Sequence, residues 1–360
     1  KVGGSLLTRK SVLNTISRVV ERDFHGNKLI LVVSAMKGIT DLLIKALDEH
    51  DPRLIDEAVQ MYIDEAIDLG LDRLARFLEL VGEDLRRFVS VGEPWVKDHV
   101  IIHGELLSTL LVSEVLSEVI GVNAKAIYEP GIVTNQEWGN ASVIDELSLK
   151  NVRERYVRLL SKYDIIVTPG FLGISMDGRY TSLGRGGSDY TASLIASYLN
   201  ASRLTFYTDS GGVLSGDPKI VEDPILIKEI SYEEAHAASR VGAKKFHPKT
   251  FEPLMKSRVL TLITSPQLDS GTYITNNCIR VPKVVSVGRI NQGLYRVSIV
   301  GCGISLNNEV IKDLSEIISS HGINGVVNDD VHVISMLVND GDNAIDLTRD
   351  VHRWVRKWIG

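Results

Sequence analysis

The residues with the types and spacing to do chemistry fall in short, glycine-marked runs. Gly184-Arg185-Gly186-Gly187-Ser188-Asp189 stands just ahead of a helical pattern. Glycines let backbone amides approach an anion closely, and a helix N-terminus adds partial positive charge, so this run can cradle a phosphate or an oxyanion. It has neither the GxxxxGK[ST] nor the GxGxxG spacing and fits neither of those phosphate-binding classes. A plain glycine turn with Ser188 as an N-cap accounts for it as well. Lys1-Val2-Gly3-Gly4-Ser5 sets an ammonium beside two glycines, where a lysine can act as a point charge on a transferring phosphoryl group. Gly242-Ala243-Lys244-Lys245 offers a second lysine that could face a nucleotide. In His103-Gly104-Glu105 a carboxylate opens an apolar helix, a place the helix dipole stabilises without any function. Thr208-Asp209 follows a strand, at the edge where open α/β sheets bind ligands. The histidines show no HExxH arrangement, and Cys278 and Cys302 no CxxC spacing, so no protein-held metal is expected. Cys302 reads as a small buried residue in a strand-to-helix turn rather than as a nucleophile.

These runs need a scaffold, and 360 residues are enough for about two domains. A content of 44% hydrophobic and 24% charged residues is that of an ordinary globular chain. The net charge of −6 argues against nucleic-acid wrapping or an anionic membrane surface, so any phosphate must be met locally. Helical apolar spacing over residues 11–24 is followed by a buried strand at 29–33. The alternation returns with helices at 39–47 and 106–120, a strand at 164–168, a helix at 188–199 and a strand at 203–208. Strands separated by helices predict a largely parallel sheet covered on both faces. Residues 51–91 read as a helical excursion beside it, with no chemistry assigned.

A further strand at 259–264 and a loop at 265–271 set a boundary near residue 275. Beyond it, a strand at 294–300, a helix at 306–321, strands at 323–328 and 331–338 and a helix at 343–359 give the split βαβ order. No stretch reaches the roughly 18 apolar residues of a spanning helix, because 106–122 is cut by Glu114 and Glu118. The two cysteines fit a reducing, cytoplasmic interior. Because the sequence opens on Lys1 without a Met, residues upstream, a first strand among them, are expected to precede it.

Taken jointly, Lys1 to Ser5, Val33-Ser34-Ala35-Met36-Lys37-Gly38-Ile39-Thr40-Asp41, His103-Gly104-Glu105-Leu106-Leu107-Ser108, Leu183 to Asp189, Tyr207-Thr208-Asp209, Gly216-Asp217-Pro218 and Gly242-Ala243-Lys244 occur in the order seen in aspartate kinases. Over residues 1–275 the chain resembles that family. The resemblance implies the amino acid kinase fold, a three-layer αβα sandwich, and MgATP-dependent phosphorylation of the β-carboxylate of L-aspartate. It gives Lys1 the charge on the transferring phosphoryl group, Asp189 the organisation of the phosphate-binding groups, and Arg185 a substrate carboxylate. Ser34, Thr40, Glu105 and Ser188 complete the aspartate site by the same match. Lys1, Gly3, Gly4, Thr208, Asp209, Lys219 and Lys244 match nucleotide-binding positions, with Mg²⁺ carried on the ATP phosphates.

The residues agree with those roles. Aspartate needs an acid for its ammonium and a planar guanidinium for a carboxylate, which Glu105 and Arg185 supply. Its side-chain carboxylate is already ionised at neutral pH, so no general base is required. Three departures stand out, the first being Leu214 and Lys219 where many members of the family have an aromatic residue and an Arg in the nucleotide loop. Ser5-Leu6 resembles kinases acting on acetylglutamate or isopentenyl phosphate, and a catalytically silent paralogue is the alternative outside enzymes. Residues 276–360 resemble a single ACT regulatory module, a ferredoxin-like α+β domain, where the family usually carries two in tandem. A lone module implies a homodimer or higher oligomer, with lysine or threonine as the effector to expect at Gly301-Cys302-Gly303-Ile304-Ser305.

Overall fold

The computed structural model describes residues 1–242, 246–323 and 325–359. Helix Val12–Asp23 buries Val12, Thr15, Ile16 and Val19, the one-sided spacing of a helix laid on a sheet. Strand Ile165–Pro169 is buried at every position, as a central parallel strand must be. It lies between Leu29–Val33 and Ala124–Ala126, parallel to both. Val2 extends this sheet by bridging Val33 on one side and Tyr207, at the end of strand Leu204–Tyr207, on the other. Its N–H donates to Val32 and its carbonyl accepts from Ser34, so Lys1 to Gly3 run through the sheet as a short extended segment, and Gly4 opens the 3-10 turn Gly4–Leu6.

The chain divides into two units, Lys1–Asp209 and Ser210–Gly360. Besides the parallel sheet, the first holds a smaller one in which Leu172–Ser175 pairs parallel with Val133–Thr134 and antiparallel with Tyr180–Ser182. The alternating pattern predicts only the parallel part; the short hairpin strands are too brief to leave a period. Residues 51–91 are helical, mainly Pro52–Asp68 and Asp72–Arg86. The helical run Pro94–Ile120 is long and apolar enough to cross a membrane, but 78% of its most apolar window is buried inside the protein. It is a core helix, and Glu114 and Glu118 lie toward its end.

In the second unit, Thr261–Thr264 and Glu229–Ser231 flank Gly271–Thr275, antiparallel and parallel respectively. A second, antiparallel sheet has the order Pro282–Asn291, Leu294–Gly301, Val333–Val338, Val327–Asp330. Helices Asn308–Ser320 and Gly341–Ile359 share its core through Val310, Leu314, Leu347 and Val351. The strand and helix order after residue 294 is the split βαβ read from the sequence, and Pro282–Asn291 takes the remaining edge position. Cys278 and Cys302 form a disulfide, which corrects the expectation of two unpaired cysteines. The pairing of Pro282 with Gly301 brings both cysteines to one sheet end, with Cα atoms 5.3 Å apart, within bridging range.

Candidate functional site

A cleft of about 450 Å³ opens at the C-terminal ends of the parallel strands in the first unit. Lys1, Gly4, Ser34, Thr40, Glu105, Arg185, Ser188 and Asp189 all line it. Four stretches far apart in sequence are joined here by the sheet. Lys1 comes from the extended segment beside Val2 and Gly4 from the 3-10 turn after it, Ser34 from the loop after Leu29–Val33, and Thr40 from the first turn of helix Ile39–Asp48. Glu105 sits in the first turn of His103–Glu114 and Asp189 in that of Gly187–Tyr198. Gly186 caps the latter helix with φ 73°, a left-handed turn that favours glycine and leaves the helix N-terminus open to the cleft.

Lys1 Nζ and Asp189 Oδ1 are 2.6 Å apart, with side chains only 10% and 14% exposed. Charges this far out of water hold each other strongly, and the pair fixes the ammonium at the helix N-terminus. Gly4 is required by packing, because a Cβ there would lie 2.5 Å from the carbonyl oxygen of Ala35. That close approach presses the loop from Ser34 to Gly38 against the turn at Gly4. The Gly3 N–H donates to the Tyr207 carbonyl, and Gly3 is not among the residues lining the cleft.

Glu105 is 4% exposed, and burial pushes its carboxyl up to about 8. Hydrogen bonds from the Ala35 N–H and from Ser188, with the attraction of Lys1, pull only partly the other way. Its Oε2 is buried with no hydrogen-bond partner. A buried acceptor left unpaired is costly and marks a place for a donor that is not part of the chain. Arg185, across the cleft, is exposed at the tip of its glycine turn.

Tyr62 supports this acid from below. Its hydroxyl donates to the Gly104 carbonyl at 2.7 Å, accepts from the Met36 N–H at 2.9 Å and shares a hydrogen bond with Ser108. The helical excursion, to which the sequence assigned no chemistry, therefore holds both the Ser34 loop and the Glu105 helix. Phe171, Lys37 and Asp41 also line the cleft. Phe171 has φ 67° and donates its N–H to Thr191, a strained conformation held by tertiary contacts. No sequence signal marks Tyr62 or Phe171, whereas Lys37 and Asp41 lie inside a quoted motif.

Thr208 and Asp209 follow strand Leu204–Tyr207 at the same sheet edge, outside the lining of the cleft. That strand is anchored by Asp23, which accepts from Arg203 at 2.6 Å and Tyr207 at 2.9 Å. Lys219 belongs to the second unit, exposed in a turn where its N–H donates to Asp217. Lys244 lies outside the described residues. Among the described residues no three His, Cys, Asp or Glu side chains gather as a metal site.

The amino acid kinase family profile matches residues 1–265. Lysine-sensitive aspartokinase 3 of Escherichia coli is 31% identical over 78% of this chain, which spans 65% of that relative's length. The crystal structure of E. coli aspartokinase III with aspartate and ADP superposes with a TM-score of 0.81 at 23% identity, covering 98% of each chain. The same enzyme with lysine and aspartate gives 0.73 at 25% identity, covering 99% of this chain and 83% of the other.

Proposed function

Because the chain belongs to the amino acid kinase family, we propose that it is an aspartate kinase, transferring the γ-phosphoryl group of MgATP to the β-carboxylate of L-aspartate. The observation that carries this reading is the unpartnered, buried Glu105 oxygen in one cleft with Arg185 and the Lys1–Asp189 pair. In this reading the substrate ammonium donates to Glu105, and Arg185 takes a carboxylate in bidentate fashion. Ser34, Thr40 and Ser188 offer hydroxyls for the remaining oxygens. The ionised β-carboxylate attacks the γ-phosphorus, a carboxyl O–P bond forms, and ADP departs with the electrons of the bond that breaks. Lys1, held by Asp189, offsets the charge that builds as two anions meet, while the amides at the start of helix Gly187–Tyr198 receive the phosphoryl oxygens. Mg²⁺, carried on the phosphates, supplies further charge neutralisation. Thr208, Asp209, Lys219 and Lys244 are assigned to the nucleotide with Gly3 and Gly4.

Ser5-Leu6 keeps a second acceptor in view, but N-acetylglutamate has no ammonium to satisfy Glu105. A silent paralogue would have no use for the retained ion pair. The domain assignment goes with the proposal: residues 1–275 are catalytic, and 276–360 form one ACT-like module binding lysine or threonine in a homodimer or higher oligomer. A soluble, cytoplasmic setting is part of the same reading. Hydroxylamine trapping with MgATP tests it, comparing L-aspartate, L-glutamate, N-acetyl-L-glutamate and no acceptor. Hydroxamate from aspartate alone is expected; none from aspartate, with ATP bound, overturns the assignment.

A further inference from the structure

Residues 213–227 form a hairpin-like excursion in the second unit. Leu214 bridges Leu226, and the backbones of Ser215 and Val213 pair with Ile225 and Ile227. Its tip carries Gly216-Asp217-Pro218-Lys219, a run that includes Lys219, the residue assigned above to the nucleotide. One face of helix Gly341–Ile359 reaches this excursion three times. His352 Nε2 lies 2.8 Å from Ser215 Oγ, and Arg349 Nε donates to the Ile220 carbonyl at 3.1 Å. Arg356 lies 3.7 Å from Asp223. The positions 349, 352 and 356 fall on one helical face.

Ser215 and His352 are both essentially inaccessible to solvent, at 0% and 1% exposed. Burial, with Arg356 nearby, holds the imidazole below its ordinary value, so the contact is a neutral hydrogen bond near neutral pH. The other buried hydroxyl of this helix, Thr348, bonds back to its own turn at Ala344. His352 instead spends its polar atom on another element. An apolar residue would fill the same space without needing a partner, so the directed contact has a use beyond packing. Ser215 is an effective target: its Oγ also accepts the Ile225 N–H, and its carbonyl accepts from Val285 in the adjoining sheet.

We propose that His352 is a positioning residue for the nucleotide: through Ser215, the C-terminal helix braces loop 216–223, and ATP affinity depends on that brace. This rests on the kinase reading of Lys219 and its neighbours. The tail is thereby part of the nucleotide site's support as well as a candidate effector module. An effector that shifts helix Gly341–Ile359 would change ATP binding without touching the aspartate cleft.

The test measures KM for ATP, KM for aspartate and kcat in the full-length chain carrying His352→Ala, His352→Asn or Arg349→Ala. Loss of the buried hydrogen bond should raise KM for ATP about fivefold in His352→Ala, with KM for aspartate and kcat within about twofold. His352→Asn should recover most of the loss. Arg349→Ala, at a half-exposed side chain, should raise KM for ATP about twofold and carries the test alone if His352→Ala fails to fold. An unchanged KM for ATP in folded variants, or an equal fall in kcat and both affinities, overturns the proposal. A wild-type chain with no turnover on aspartate would instead remove the functional reading beneath it.

Discussion

Glu105 makes the most demanding prediction, because its protonation state in the empty cleft is opposite to the one the substrate needs. With its carboxyl raised to about 8 by burial, about nine in ten molecules carry a proton there at neutral pH. An ammonium ligand requires the carboxylate. In the proposed reading, aspartate binding therefore expels one proton, and the apparent KM for aspartate carries the factor 1 + 10^(pKa − pH). That factor is about 30 near pH ~6.5 and close to one near pH ~8.5, so KM for aspartate should fall about 25-fold across this window. KM for ATP, whose groups avoid this acid, should stay nearly flat.

Steady-state hydroxamate kinetics across the window give the slope, and calorimetry in buffers of different ionisation enthalpy counts the proton released. The sign of the stability effect follows from the same shift. The folded pKa lies above the ordinary 4.5, so stability from the neutral acid is full below that value and is lost as pH rises through about 8. The rise in melting temperature on adding aspartate should accordingly grow with pH. A KM for aspartate that varies less than about twofold over the window, with no buffer-dependent heat, would refute the pairing of Glu105 with the ammonium.

Other residues separate binding from turnover. Arg185→Ala should raise KM for aspartate about 10- to 100-fold, the worth of a charged bidentate contact, with Arg185→Lys recovering little; initial-rate kinetics decide it. Lys1→Met should lower kcat by about 100- to 1,000-fold and leave KM for aspartate within about threefold, which single-turnover measurements can separate. Reducing Cys278–Cys302, which closes a loop of 24 residues, should cost about 3 kcal/mol in denaturant titration, less where the reduced chain retains structure.

Sequence and structure diverge where function depends on what lies beneath a residue. Gly184 to Asp189 was legible because a left-handed cap and a helix start need glycine and a first-turn acid locally. Glu105 was only half legible: its place in a first helical turn has a sufficient explanation in the helix dipole, and only burial with an empty acceptor oxygen distinguishes it. Tyr62 left no trace, because its three hydrogen bonds go to residues 26 to 46 positions away. The disulfide was misread for the same reason, since the pairing of Pro282 with Gly301 makes it possible and no spacing rule encodes that register. Within the unit Ser210–Gly360, the stretches before and after residue 275 are tied together. Beneath the turn at Cys302, Glu234 accepts the Cys302 N–H at 2.8 Å and pairs with the buried Lys283 at 3.0 Å. Residues on either side of 275 thus share one buried polar junction.

That junction and the cleft obey a common electrostatic rule. Each buried charge in the cleft is neutralised at rest: Glu105 by a proton, Lys1 by Asp189 at 2.6 Å. In the proposed reading, aspartate's ammonium replaces the proton, and a γ-phosphoryl oxygen joins Asp189 at Lys1. With Asp189 still paired to Lys1, neither step leaves an uncompensated charge out of water, which would cost several kcal/mol in such a site. An enzyme bringing two anions together gains from this arrangement, because its catalytic lysine is held in place before the phosphoryl group arrives and needs no reorganisation when it does. The Asp189→Asn variant should therefore lose rate through a misplaced Lys1 rather than through lost affinity for aspartate, and its KM for aspartate should remain near the wild-type value while kcat falls.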